Sequence, residues 1–67
     1  MNTAMLKGKL REKSMTQLDA ARGIGISLSA FNAKLNETHG EFSLGEVRAL
    51  KNLLDLDIAQ TEQIFFS

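Results

Sequence analysis

The chain has 67 residues, of which 43% are hydrophobic and 24% charged, with no cysteine and one histidine. A chain this short buries only about 60% of its unfolded surface on folding, so it forms one domain at most. Without cysteine, neither a disulfide framework nor a thiolate metal site can supplement the core, and His39 alone cannot build a histidine-rich site. We therefore expect a single domain over residues 1–67, with no metal and no other cofactor.

No apolar run approaches the roughly 18 residues that a membrane span requires. The N-terminal stretch lacks the basic start, apolar run and small-residue cleavage site of a secretory leader. These two features predict a soluble, cytoplasmic protein without a membrane partner.

The formal net charge is zero, which at first argues against nucleic acid, because proteins that bind DNA usually carry a basic excess. The average hides an asymmetry. Residues 1–36 have a net charge of +4, from six basic and two acidic side chains, and residues 37–67 have a net charge of −4, from two basic and six acidic ones. Uneven scatter on a small protein gives the same pattern, so the asymmetry alone does not decide the partner.

Proline is absent, and apolar residues recur at steps of three and four, which favours helix over strand. The predicted fold class is all-α, with helices over about 3–13, 17–24, 28–35, 44–54 and 58–65. Residues that cap helix N-termini precede four of these segments: Thr16, Ser27, Ser43 and Asp57. Ser43 and Glu46 form a full capping box. A polar loop, Glu37 to Glu41, separates the third and fourth helices and contains His39.

The second and third helices have the spacing of a helix-turn-helix, from Gln17 to Asn36. Ala21 is small where two helices would cross, and Gly25 provides the left-handed residue of a tight turn. Gly23 is expected to weaken the last turn of the second helix by about 1 kcal/mol. The residues expected to fill the space between these helices and the core are Ile24, Ile26, Phe31 and Leu35.

The segment TQLDAARGIGISLSAFNAKLN resembles the helix-turn-helix of Cro and cI-type phage repressors and of the wider Xre-like family. The downstream FSLGEVRALKNLLDLDIAQTEQIFF resembles the end of short repressor-like proteins from phages and prophages of Gram-positive bacteria. The resemblance implies a five-helix repressor-type fold, sequence-specific binding to double-stranded operator DNA, repression of transcription, and commonly a dimer.

In that family the glutamine that opens the second helix contacts a phosphate, and Gln17 holds this place. The family's base-reading positions fall here on Leu28, Ser29, Asn32 and Ala33. Lys34 and Asn36 stand where the resemblance implies further contacts to the DNA backbone.

This base-reading set departs from the family pattern, which often has arginine or glutamine where Leu28 and Ala33 stand. A bidentate contact to guanine is then missing. Asn32 can pair bidentately with adenine, and Leu28 and Ala33 can touch thymine methyl groups, so we expect A·T pairs at the contacted positions.

The chain ends with Ile64, Phe65 and Phe66 before a serine, and a short amphipathic helix cannot bury all three. The leftover surface is a candidate two-fold interface of a homodimer through the last helix. The alternative is that Phe66 folds back over its own core.

An enzyme is not expected, because no nucleophile pairs with His39 and the acids are spread singly rather than gathered in a pocket for a small-molecule substrate. The rival to DNA binding is a protein-interaction module on the same fold, such as an antirepressor or modulator. Leu18 lies on a helix face that is usually polar in the family, either as an isolated surface leucine or in contact with the first helix.

Overall fold

The computed structural model describes residues 1–36 and 41–66, and over these residues the chain forms five α-helices and no strand. They are α1 (Thr3–Glu12), α2 (Gln17–Ile24), α3 (Leu28–Leu35), α4 (Leu44–Leu53) and α5 (Ile58–Phe65). The predicted all-α class and all five helix starts are confirmed. The predictions made for Glu37 to Gly40, including His39 as a loop residue, lie outside the described residues.

A side chain caps the N-terminus of each helix, and four of the five capping residues are those predicted. Asn2, which the sequence analysis missed, caps α1 by accepting a 3.0 Å hydrogen bond from the Met5 N–H. Three helices have reciprocal capping boxes, including α2, where the Thr16 N–H donates to Asp19 at 2.9 Å and the Asp19 N–H donates to Thr16 at 3.1 Å. Bonds within three residues therefore fix where the helices begin.

Three helices end with a residue in the left-handed conformation, where φ is 56° at Ser14, 82° at Gly25 and 56° at Asp55. Only Gly25 was predicted. Each of these residues is followed by an N–H that donates back to the carbonyl five positions earlier, as from Met15 to Leu10 at 2.9 Å. This Schellman geometry ends α1 and α4 one residue earlier than predicted, at Glu12 and Leu53.

The five helices surround one hydrophobic core. Among residues 1–36 and 41–66, twelve buried hydrophobic side chains form it: Leu6, Leu10, Ala20, Ala21, Phe31, Leu35, Phe42, Val47, Leu50, Leu54, Leu56 and Ile64. Helix α2 contacts both α3 and α4, and α5 contacts α1 and α4. Of the four residues expected to fill the space beside α2 and α3, Phe31 and Leu35 are buried, while Ile24 and Ile26 pack against the core and stay half-buried.

The start of α1 is bonded to two distant parts of the chain. The Asn2 N–H donates to the Ile64 carbonyl at 2.6 Å, and the Thr3 hydroxyl donates to the Leu35 carbonyl at 3.1 Å. These bonds connect the start of α1 to the C-terminal ends of α5 and α3, and so fix the C-terminal end of α3. Within the described part of the chain, no helix has the length and apolar content needed to cross a membrane.

Candidate nucleic-acid interface

Helices α2 and α3 are joined by three residues, Gly25, Ile26 and Ser27. The positive φ of Gly25 turns the chain, and the Ile26 N–H then donates to the Ala21 carbonyl at 2.9 Å. Ile26 packs against the core, and Ser27 caps α3 through a 3.0 Å bond from the Ala30 N–H. The connection is thus fixed by a turn, an apolar contact and a cap, all within three residues.

One side of α3 packs on the core, and the other side faces solvent. Phe31 and Leu35 are at most 1% exposed and anchor the helix on the core. With about 3.6 residues per turn, positions 28, 29, 32, 33 and 36 lie together on the outward side. We call this set, Leu28, Ser29, Asn32, Ala33 and Asn36, the α3 face.

The α3 face contains all four positions expected to read bases. Leu28 is 39% exposed, Ser29 is exposed, and Asn32 and Ala33 are half-buried. Asn36, the C-cap of α3, is exposed at the end of the face. This face carries amide, hydroxyl and apolar groups and no charged side chain, so it can offer hydrogen bonds and methyl contacts but no ion pair.

A cleft of about 250 Å³ lies between α1 and the N-terminus of α2. Its lining consists of Lys7, Leu10, Arg11, Met15, Thr16 and Gln17. Gln17 is the first residue of α2, and the N–H groups of a helix's first turn have no carbonyl partner within the helix. The cleft therefore combines two cations, an amide and the positive end of a helix dipole, a combination that suits an anion.

Asp19 is the acid closest in sequence to the start of α2, and its carboxylate accepts the hydrogen bond from the Thr16 N–H that completes the cap. The backbone hydrogen bond from Thr16 is the main reason why the pKa of Asp19 lies below its ordinary value of 3.8, and the Thr16 hydroxyl adds to it. From the sequence, Lys7, Lys9, Arg11 and Lys13 are expected to form a solvated face of the first helix, with no more than one or two of them near phosphates; the cleft contains Lys7 and Arg11. Their spacing of four on α1 places them on one side of that helix, but only packing brings that side to α2.

The side chain of Lys34, although Lys34 is in α3, is directed to α4 and not to the α3 face. Its Nζ donates to both carboxylate oxygens of Glu46 in α4, at 2.7 and 2.8 Å. The side chains of Lys34 and Glu46 are only 23% and 16% exposed. The hydrogen bond from Lys34, followed by the one from the Ser43 N–H, holds the pKa of Glu46 below its ordinary value of 4.5.

The C-terminal residues expected at a two-fold interface have three different environments. Ile64 is fully buried, so its side chain fills the core and offers no exposed surface in this single chain. Phe65 is half-buried with its ring edge on Phe42, at a centroid distance of 6.2 Å, and Phe66 is 64% exposed. Phe66 is therefore the leftover aromatic, and it borders a small cleft of about 120 Å³.

Comparison of the chain with protein-family models, with curated proteins and with solved structures gives no significant match.

Proposed function

We propose that this protein binds double-stranded DNA as a transcriptional regulator of the repressor type, with α2 and α3 forming a helix-turn-helix. The observation that carries the proposal is the combination of the short Gly25 connection with an α3 whose outward face is accessible and contains no charged side chain. With its side chains an α-helix is about 10–12 Å across, so α3 fits the roughly 12 Å width of the major groove of B-DNA.

In this proposal the α3 face reads bases. The Asn32 amide pairs with adenine, and the side chains of Leu28 and Ala33 contact thymine methyl groups, so the preferred site has A·T pairs at these positions. Ser29 donates or accepts a hydrogen bond at either kind of base. Leu28, at 39% exposure, already presents apolar surface at the N-terminal end of the helix.

Phosphate binding is assigned to the cleft between α1 and α2 and to Asn36. A phosphate oxygen there would accept hydrogen bonds from the Gln17 amide and the first N–H groups of α2. Lys7 and Arg11, which line the same cleft, supply the positive charge that releases counterions from DNA. The basic first half of the chain thus contributes to binding in spite of the zero net charge.

We further propose that two copies associate through the surface around Phe66. A two-fold arrangement would present two α3 helices to half-sites about one turn of DNA apart. The exposed ring of Phe66 and the small cleft that it borders, lined also by Phe42, Val47 and Phe65, support this interface.

A protein-interaction module is the second candidate function. It is favoured by Leu18 and Leu28, which are 38% and 39% exposed at the two helices of the same unit. A protein partner would cover such leucines with apolar side chains, and it would need neither Gln17 nor the cations of α1.

Titration of isotopically labelled protein with an A·T-containing duplex at low salt tests the proposal. The expected shifts fall on backbone amides of residues 7–11 and 16–36 and fade as salt rises, with log K falling linearly with log salt concentration. An unmoved spectrum at low salt would favour the protein-interaction module.

Two variants sharpen this experiment. Gln17→Ala is expected to weaken binding to all duplexes alike, whereas Asn32→Ala should cost about 1–3 kcal/mol only on duplexes with the preferred A·T positions. Asn52→Ala, an exposed asparagine near the end of α4, is the matched control and should bind like the wild type.

A further inference from the structure

Lys34 points away from the proposed DNA-reading face. It follows Asn32 by two positions, and side chains two apart on a helix lie on nearly opposite sides. Its ammonium group is directed to α4, where it meets Glu46, and Lys34 also lines the cleft beside Phe42 and Val47. A phosphate that contacts the α3 face is therefore on the wrong side for Lys34.

Glu46 joins two structural elements. One of its oxygens accepts a 2.8 Å hydrogen bond from the Ser43 N–H and so completes the capping box of α4. The same oxygen and its neighbour accept the two bonds from Lys34. The carboxylate thus fixes the end of α3 to the start of α4, across the connection between the two helices.

We infer that Lys34 and Glu46 form a positioning pair for α3, and that Lys34 does not contact phosphate. The inference rests on the proposed DNA binding, because its effect is on the orientation of the α3 face. The pair links the end of α3 to the start of α4, and removing either charge lets the α3 face move relative to the DNA without deleting a contact to DNA.

Four proteins test the pair: the wild type, Lys34→Met, Glu46→Gln and the double variant. Methionine keeps most of the apolar stem of Lys34, and glutamine keeps the cap, as Gln60 does in α5 by accepting a 3.0 Å bond from the Asp57 N–H. Each single variant is expected to bind the duplex about fivefold more weakly, and the double variant no more weakly than either. Lys34→Arg, which can still reach the carboxylate, should restore binding.

The salt dependence of binding separates positioning from phosphate contact. The slope of log K against log salt concentration is negative, and loss of one phosphate contact reduces its magnitude by about 0.9. We expect an unchanged slope in Lys34→Met. A slope reduced by about 0.9, together with tighter binding by Glu46→Gln through a released Lys34, would overturn the inference, as would effects that simply add in the double variant.

Lys9 and Glu12 provide a control pair, since their ion pair on α1 is 3.4 Å long and the glutamate side chain is 65% exposed. Lys9→Met and Glu12→Gln should show no coupling in DNA binding. Thermal unfolding of the same variants without DNA measures the Lys34–Glu46 coupling independently. If the wild type shows no salt-dependent binding, the proposed function fails and the inference fails with it, whereas wild-type binding with uncoupled variants overturns the inference alone.

Discussion

Gly23 of α2 lies against Leu53 of α4 so closely that a Cβ atom on Gly23 would be 2.9 Å from one Leu53 methyl carbon and 3.1 Å from the other. By helix propensity alone, Gly23 destabilises the last turn of α2. Its contact with Leu53 gives it a different role, because the missing side chain lets α2 approach α4. Gly8, in α1, has no such neighbour, since a Cβ there would meet nothing within 4 Å.

Replacing these two glycines by alanine should therefore have different effects. Gly8→Ala is expected to raise the free energy of unfolding by about 1 kcal/mol, from helix propensity. Gly23→Ala should gain less than Gly8→Ala, because the Leu53 methyl groups must move to make room for the added Cβ atom. Urea denaturation measures both values. An equal gain in the two variants would show that the Leu53 contact is without energetic consequence.

Substitutions at the left-handed residues that end α1, α2 and α4 should change stability in opposite directions, depending on whether glycine is introduced or removed. Ser14→Gly should stabilise the protein by about 1 kcal/mol, and Asp55→Gly by less, since aspartate tolerates this conformation better than serine. Gly25→Ala should destabilise it by about 1–2 kcal/mol through the backbone alone, because a Cβ there has no neighbour within 4 Å.

Thermal melts of the three variants measure these differences. In a domain of this size 1 kcal/mol corresponds to roughly 4–8 °C in Tm. A lower Tm for Ser14→Gly than for the wild type would contradict the strain assigned to Ser14.

Acid should unfold the protein partly through Glu46 and Asp19. Both carboxyl groups have a lowered pKa in the folded state, so their contribution is complete above the unfolded values near 4.5 and 3.8 and is lost as pH falls through the lower folded values. The urea midpoint is expected to decline below about pH 5. Glu46→Gln should show a smaller decline than the wild type, because glutamine does not titrate.

The control for this acid effect is Glu62→Gln, which changes an exposed acid of α5 outside the three capping boxes. It should follow the wild-type pH profile. Identical acid dependence in the wild type and Glu46→Gln would remove Glu46 as a source of the decline.

Self-association through Phe66 predicts a contrast between two exposed residues of the C-terminal segment. Phe66→Ala should weaken dimerisation about tenfold or more, as expected for an aromatic anchor. Ile58→Ala should have no effect, since Ile58 is 72% exposed at the other end of α5 and does not line the cleft beside Phe66. Sedimentation equilibrium without DNA measures both, and a monomeric wild type would end the proposal.

The sequence by itself determined where the helices begin and how α2 turns into α3. The capping box of Ser43 and Glu46, and Thr16 as the cap of α2, could be identified because a cap forms between residues three positions apart. The base-reading positions came from the resemblance to the repressor family, and helical periodicity places them on one side of α3. These features depend on neighbours along the chain, and the chain order contains that information.

Only the tertiary structure decided which of these local features meet. Lys34 and Glu46 are 12 positions apart, and the Thr3 hydroxyl reaches the carbonyl of Leu35 32 positions away. Likewise, Ile64 and Phe66 are both apolar, yet Ile64 is fully buried and Phe66 is 64% exposed. Such contacts arise when helix faces pack together, and the choice of faces depends on the shape of the whole core rather than on the spacing within any one helix.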